Sequence, residues 1–105
     1  MEAVSRVYHL LDTLAAVRWV SCEPLLEELT FAESMLRLDW LVVGCETGPG
    51  RRPCKLEWVE RLIKDATYDS VPVFVKQLDI GGKVSKNPAE WPEWARRREY
   101  PERRA

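Results

Sequence analysis

The segment DWLVVGC, residues 39–45, constrains this chain more than any other, because it is apolar without alternation. A strand buried on both faces reads this way, and such strands belong to parallel sheets flanked by other layers. Two further runs share its character. VRWVSC, 17–22, is rich in β-branched and aromatic residues and stops before Pro24; VPVFVKQL, 71–78, starts at a position that tolerates proline and ends in Lys76 and Gln77. Between and before the strands lie helical patterns. Val4, Val7, Leu11 and Leu14 recur at intervals of three and four over residues 3–15. Val59, Leu62, Ile63 and Ala66 form a stripe within residues 55–68. LLEELTFAESMLRL, 25–38, has helical composition interrupted at Thr30 and Phe31, and predicts a short helix or two turns.

The order helix, strand, helix, strand, helix, strand predicts an α/β fold of three parallel strands joined by right-handed crossovers. Residues 1–80 form its body. After Gly81 and Gly82 the sequence KVSKNPAEWPEWARRREYPERRA has no sustained period, and residues 81–105 are expected to be an irregular tail lying over the body through Trp91 and Trp94. At 105 residues, with 46% hydrophobic content and five tryptophans, the chain holds one small domain with a core. No apolar run reaches the roughly 18 to 20 residues of a membrane span, and the first residues lack a secretory layout, so a cytoplasmic setting is expected.

In a parallel sheet all strand carboxyl ends point one way, and loops at that edge hold ligands in open sheets and barrels alike. Here that edge would collect Cys22 and Glu23, Cys45 and Glu46, then Lys76 and Gln77. In GCETGPGRRP, Gly44, Gly48 and Gly50 permit positive φ or close backbone approach, and Pro49 stiffens the turn. Its amides, with Arg51 and Arg52, suit a carboxylate or phosphate; a tight strand-to-helix turn with solvated arginines explains the same residues. Glu23 and Glu46 have two readings: they bind an amine or ribose hydroxyls, or exchange protons, or else they cap amides and pair with Arg51, Arg52 or Lys76. Lys76 brings a cation to a carboxylate-lined pocket or forms a salt bridge to Glu46. The candidate ligand-binding set is Glu23, Gly44, Glu46, Gly48, Arg52 and Lys76; no catalytic residue is assigned. The single histidine, His9, lies on the first helix, away from this edge.

Cys22, Cys45 and Cys54 lack the close pairing of structural zinc ligands and fit buried thiols in a reducing compartment, so no metal site is assigned. With 16 Lys+Arg against 17 Asp+Glu, the formal net charge of -1 supplies no global field for polyanions. The Arg-rich end, ARRREYPERRA, suits binding to a nucleic-acid backbone, and a solvated terminus is the commoner role of such a segment.

VSCEPLL (20–26), DWLVVGCETGPGRRP (39–53), LEWVERL (56–62), VPVFVKQL (71–78) and GGKVSKNPAEWPEWARRREYP (81–101) resemble the carboxyl-terminal half of a phage-associated family of unknown function, the bacteriophage gene-product thirty-seven/sixty-eight type. Full-length members look like partial (β/α) barrels of the radical-SAM type, with a cluster-binding cysteine motif near the amino terminus. The resemblance implies that this chain is half of such a barrel and that its strand ends wall a cavity for S-adenosylmethionine in a complete barrel. The chain contains no C-x3-C-x2-C motif, and its three cysteines do not replace one by spacing. No cofactor is therefore assigned to the chain alone. Open sheet edges and exposed apolar surface would follow from a half-barrel. Three roles stay open: a ligand-binding half that pairs with a missing amino-terminal half, a non-enzymatic module that self-associates through a sheet edge, and nucleic-acid binding through the Arg-rich tail.

Overall fold

The computed structural model describes residues 18–30, 35 and 37–101. The helix expected over 3–15 lies outside them, and so does His9. β1 (Trp19–Cys22), β2 (Trp40–Val43) and β3 (Val73–Val75) form one sheet in the order β1-β2-β3, parallel throughout. The register aligns Val20 and Leu41 with Val73, and Cys22 and Val43 with Val75. Leu41, Val43, Val73 and Val75 are fully buried and share one core with Val59, Leu62, Ile63 and Ala66 of α1 (Leu56–Tyr68), the stripe that the spacing predicts. Leu25, Leu29, Met35 and Leu38 join the same core. Residues 25–30 reach it as irregular backbone, while the short helix or two turns expected over 25–38 falls partly on residues outside those described, with 3-10 conformation at Met35 and Arg37.

α1 ends in a Schellman motif: the Ser70 amide donates to the Thr67 carbonyl at 3.1 Å and the Val71 amide to the Ala66 carbonyl at 2.8 Å. Ser70 takes the left-handed position at φ 57 that glycine normally fills.

The opposite face of the sheet alternates with the first. Trp19, Trp40, Ser21, Val42, Phe74 and Lys76 line it, and no helix covers it among the described residues. Val42 is nonetheless 6% exposed. Among the described residues, aromatic neighbours rather than a helix shield this face, in keeping with a β2 that reads as apolar without alternation.

The segment beyond Gly82 is not the irregular tail the composition suggests. β4 (Leu78–Ile80) and β5 (Lys83–Ser85) form an antiparallel hairpin, with Gly81 and Gly82 both at positive φ in its two-residue turn. The third strand therefore ends at Val75, and Leu78 belongs to the hairpin. The chain continues through 3-10 turns at Pro88–Glu90 and Glu93–Ala95. Trp91 is 2% exposed, and its indole donates to the Ser85 carbonyl and hydroxyl, both at 3.1 Å. Arg97–Glu99 then runs antiparallel along the outer edge of β3: the Val75 amide donates to the Arg97 carbonyl, and the Glu99 amide to the Val73 carbonyl, each at 2.8 Å. Arg98 fixes this strap by donating to the Val75 and Lys76 carbonyls while its guanidinium lies over the rings of Phe74 and Trp91. The edge that would otherwise be free to pair with another chain is covered by the protein's own backbone.

Replacing Ser70 by glycine removes the left-handed strain at the helix end and is expected to raise the urea unfolding free energy by about 0.5–1 kcal/mol. An unchanged or lower value would show that the serine is not strained.

Candidate functional site

The strand following Cys22–Val43–Val75 in register brings Glu23, Gly44 and Lys76 to the carboxyl edge of the sheet. Lys76 Nζ donates to Glu23 Oε1 at 3.0 Å, and Gln77 Nε2 donates to Glu23 Oε2 at 2.6 Å and to the Cys45 carbonyl at 2.6 Å. Gln77 is 4% exposed, so its amide is fixed by these two acceptors. Gly44 makes the arrangement possible. A Cβ there would lie 2.8 Å from Gln77 Nε2 and 3.1 Å from Glu23 Oε2. The glycine is needed for close approach, not for an unusual φ.

Glu46 and Arg52 form a second unit inside the loop after β2. Arg52 donates to Glu46 through its backbone amide at 2.9 Å, Nε at 3.1 Å and Nη2 at 2.6 Å. Gly48, at φ 91, turns the same loop, and its carbonyl accepts the Arg51 amide at 3.3 Å. Arg51 turns away to a third unit: Nη1 donates to Asp79 Oδ2 at 3.0 Å and Nη2 to the Gly82 carbonyl at 2.6 Å. Asp79 also accepts the amides of Gly82 at 3.1 Å and Cys54 at 3.4 Å, which staples the Gly-rich loop to the β4–β5 hairpin. Reading the sequence missed Asp79 because its role depends on that hairpin, whose signal was the Gly-Gly pair between LDI and KVS. Gln77 was noted as a strand end without its part in holding Glu23.

Of the six candidate ligand-binding residues, the structure joins Glu23, Gly44 and Lys76 in one cluster and Glu46, Gly48 and Arg52 in another. Lys76 pairs with Glu23, not with Glu46. The three cysteines are buried and free. Burial pushes the thiols of Cys22 and Cys54 up to about 12 and that of Cys45 upward as well, so these sulfurs are held protonated and poorly nucleophilic. Among the described residues, no group of three or more His, Cys, Asp and Glu is placed to hold a metal, and no helix is long and apolar enough to cross a membrane.

The carboxylates share one electrostatic trend. Hydrogen bonds from the Arg52 side chain and amide hold Glu46 down at about 2. Burial pushes Glu23 up, but the Gln77 and Lys76 hydrogen bonds and the Lys76 charge outweigh it and leave the group below its ordinary value. Arg51 lowers Asp79, and Arg97 lowers Glu99.

Two outcomes follow from this geometry. Gly44→Ala, which forces Gln77 and Glu23 apart, is expected to lower the unfolding free energy by roughly 1–2 kcal/mol after the entropic gain of alanine is deducted; a neutral or stabilising effect in urea titration would contradict the close approach. Each depressed carboxylate binds its proton more weakly when folded, so its contribution is complete above the ordinary values of 4.5 for Glu and 3.8 for Asp and is lost as the pH falls. The urea midpoint should therefore decline as the pH drops from 4.5 towards about 2, where Glu46 titrates, and Glu46→Gln should flatten the lower part of that decline. Solvent exposure of the Arg52 side chain makes this component salt-sensitive. A midpoint independent of pH in this window would refute the assignment.

A family model described as "Protein of unknown function (DUF5131)" matches residues 1–101. Neither the curated proteins nor the solved structures provide a match to this chain.

Proposed function

The chain belongs to the DUF5131 family of unknown function, and from that premise we propose that it is the ligand-binding wall of a (β/α) barrel-like assembly, with its site at the carboxyl ends of β1, β2 and β3. One observation carries this reading. Glu23 and Lys76, 53 residues apart, meet at 3.0 Å beyond the ends of three parallel strands, and Gly44 clears the space between their strands. Such an edge is where α/β folds bind ligands.

The chemistry of the pair fits a zwitterion of the amino-acid type. Glu23 accepts from an ammonium group and Lys76 donates to a carboxylate, while Gln77 holds Glu23 in place as Lys76 turns towards the ligand. S-adenosylmethionine carries such a head group, and both its chemistry and the phage setting implied by the resemblance belong to this proposal. The completing wall would join at β1, because Arg97–Glu99 already occupies the outer edge of β3. Among the described residues a helix covers one face only, and Trp19, 45% exposed on the other, supports a sheet whose open side faces a cavity.

The test is calorimetric titration of the full chain with S-adenosylmethionine, with light scattering on the same sample. Saturable binding that weakens at least tenfold in Glu23→Gln is the expected result. The absence of heat at any assembly state, or equal affinity in Glu23→Gln, would overturn the reading.

A further inference from the structure

The open face of the sheet carries a groove of about 280 Å³ whose lining is aromatic at one end and cationic at the other. Trp40 is its centre: its ring is 5.8 Å from that of Trp19, stacked with Tyr100 at 5.9 Å, and edge-on to Phe74 at 6.3 Å. Trp19 and Tyr100 keep 45% and 69% of their surface exposed, so ring faces are open to a planar partner. Ring exposure of this kind in an otherwise ordered face marks a binding surface.

Along β3 the lining changes from Phe74 to Lys76, about 7 Å farther on the same face. Among the described residues Lys76 is the one charged residue lining the groove, and Lys86 lies close to the carboxylate of its partner Glu23. The charge of Lys86 stabilises that carboxylate, and Arg98 Nη2 donates to the carbonyls of Lys76 at 3.1 Å and Lys86 at 3.5 Å. Lys76 and Lys86 thus both act on the Glu23 carboxylate, a local positive excess in a chain whose formal net charge is -1. Glu23 keeps its 2.6 Å bond from Gln77, which leaves Lys76 free to exchange partners.

We propose that this groove binds a nucleotide, with the base stacked among Trp19, Trp40 and Tyr100 and the phosphate held by Lys76 and Lys86. Stacking accepts any base because every base presents a π-face, and lysine meets phosphate as a point charge. A purely apolar occupant would satisfy the rings but desolvate the cations without a partner. The inference shares Lys76 with the barrel reading but needs neither a second barrel half nor S-adenosylmethionine, and Trp19 and Lys86, to which that reading gives no ligand contact, separate the two.

The experiment follows tryptophan emission of the full chain on addition of adenosine 5′-monophosphate, adenosine, or inorganic phosphate, at low and moderate salt. Saturable quenching by the monophosphate, at least tenfold weaker with adenosine and weakened by salt, is expected. Lys86→Ala should weaken the monophosphate at least threefold and leave adenosine unaffected, while Trp19→Ala should weaken both; circular dichroism checks that each variant is folded. A short oligoadenylate as competitor separates the two sources of this chemistry: tighter binding than the monophosphate identifies single-stranded nucleic acid, equal or weaker binding a free nucleotide, and either supports the proposal. No saturable quenching, equal affinity for adenosine and its monophosphate, or unchanged binding in folded Trp19→Ala would overturn it.

Discussion

Everything in this fold depends on the register of two helix-facing cross-strand rows, Val20–Leu41–Val73 and Cys22–Val43–Val75, against the apolar stripe of α1; Val20 is the one partly buried member. Side chains on a strand alternate between faces, so a shift by one residue would exchange the two surfaces of the sheet. In the observed register the β-branched residues meet the helix. Trp19, Trp40 and Phe74 are thereby sent to the open face, and Glu23, Gly44 and Lys76 to one row at the carboxyl edge. The candidate site is thus a consequence of core packing, because a single alignment places the helix-facing and site-facing residues together.

Residues 78–99 secure that sheet along the outer edge of β3 and against α1. Asp79 ties the Gly-rich loop to the hairpin through Arg51, and Trp91 anchors the crossing segment under Arg98. Arg97–Glu99 closes the outer edge of β3. The arginines of this segment therefore have structural partners: Arg96 donates to the carbonyls of Trp91 and Ala89, Arg97 to Glu99 and Thr67, and Arg98 to backbone carbonyls. A run that looks like a polyanion-binding tail in one dimension is, over 96–98, largely a set of clamps.

The parallel sheet and α1 were legible in the sequence because each has a strong local signal: uninterrupted apolar runs for the strands and a 3.6-residue stripe for the helix. The edge gathering Glu23, Gly44 and Lys76 followed from the expectation that parallel strands share a direction. Pairing was less legible. Whether Lys76 meets Glu23 or Glu46 depends on rotamers and on Gln77, which no spacing reveals. The β4–β5 hairpin was readable in principle from Gly81-Gly82, but its strands are three residues long and carry Asp79 and Lys83, so the period-2 signal is short. The strap and the aromatic groove arise from contacts between residues more than 20 positions apart, beyond the reach of local pattern.

The claim that unites these observations is that the carboxyl ends of β1, β2 and β3 form one ligand site. Amide chemical-shift mapping of the isotope-labelled chain during titration with S-adenosylmethionine tests it most directly. The account predicts shifts concentrated at 21–25, 42–46 and 74–77, the three strand ends. Shifts confined to α1 or to the Arg51–Asp79 loop and hairpin, or no shifts at all, would contradict it.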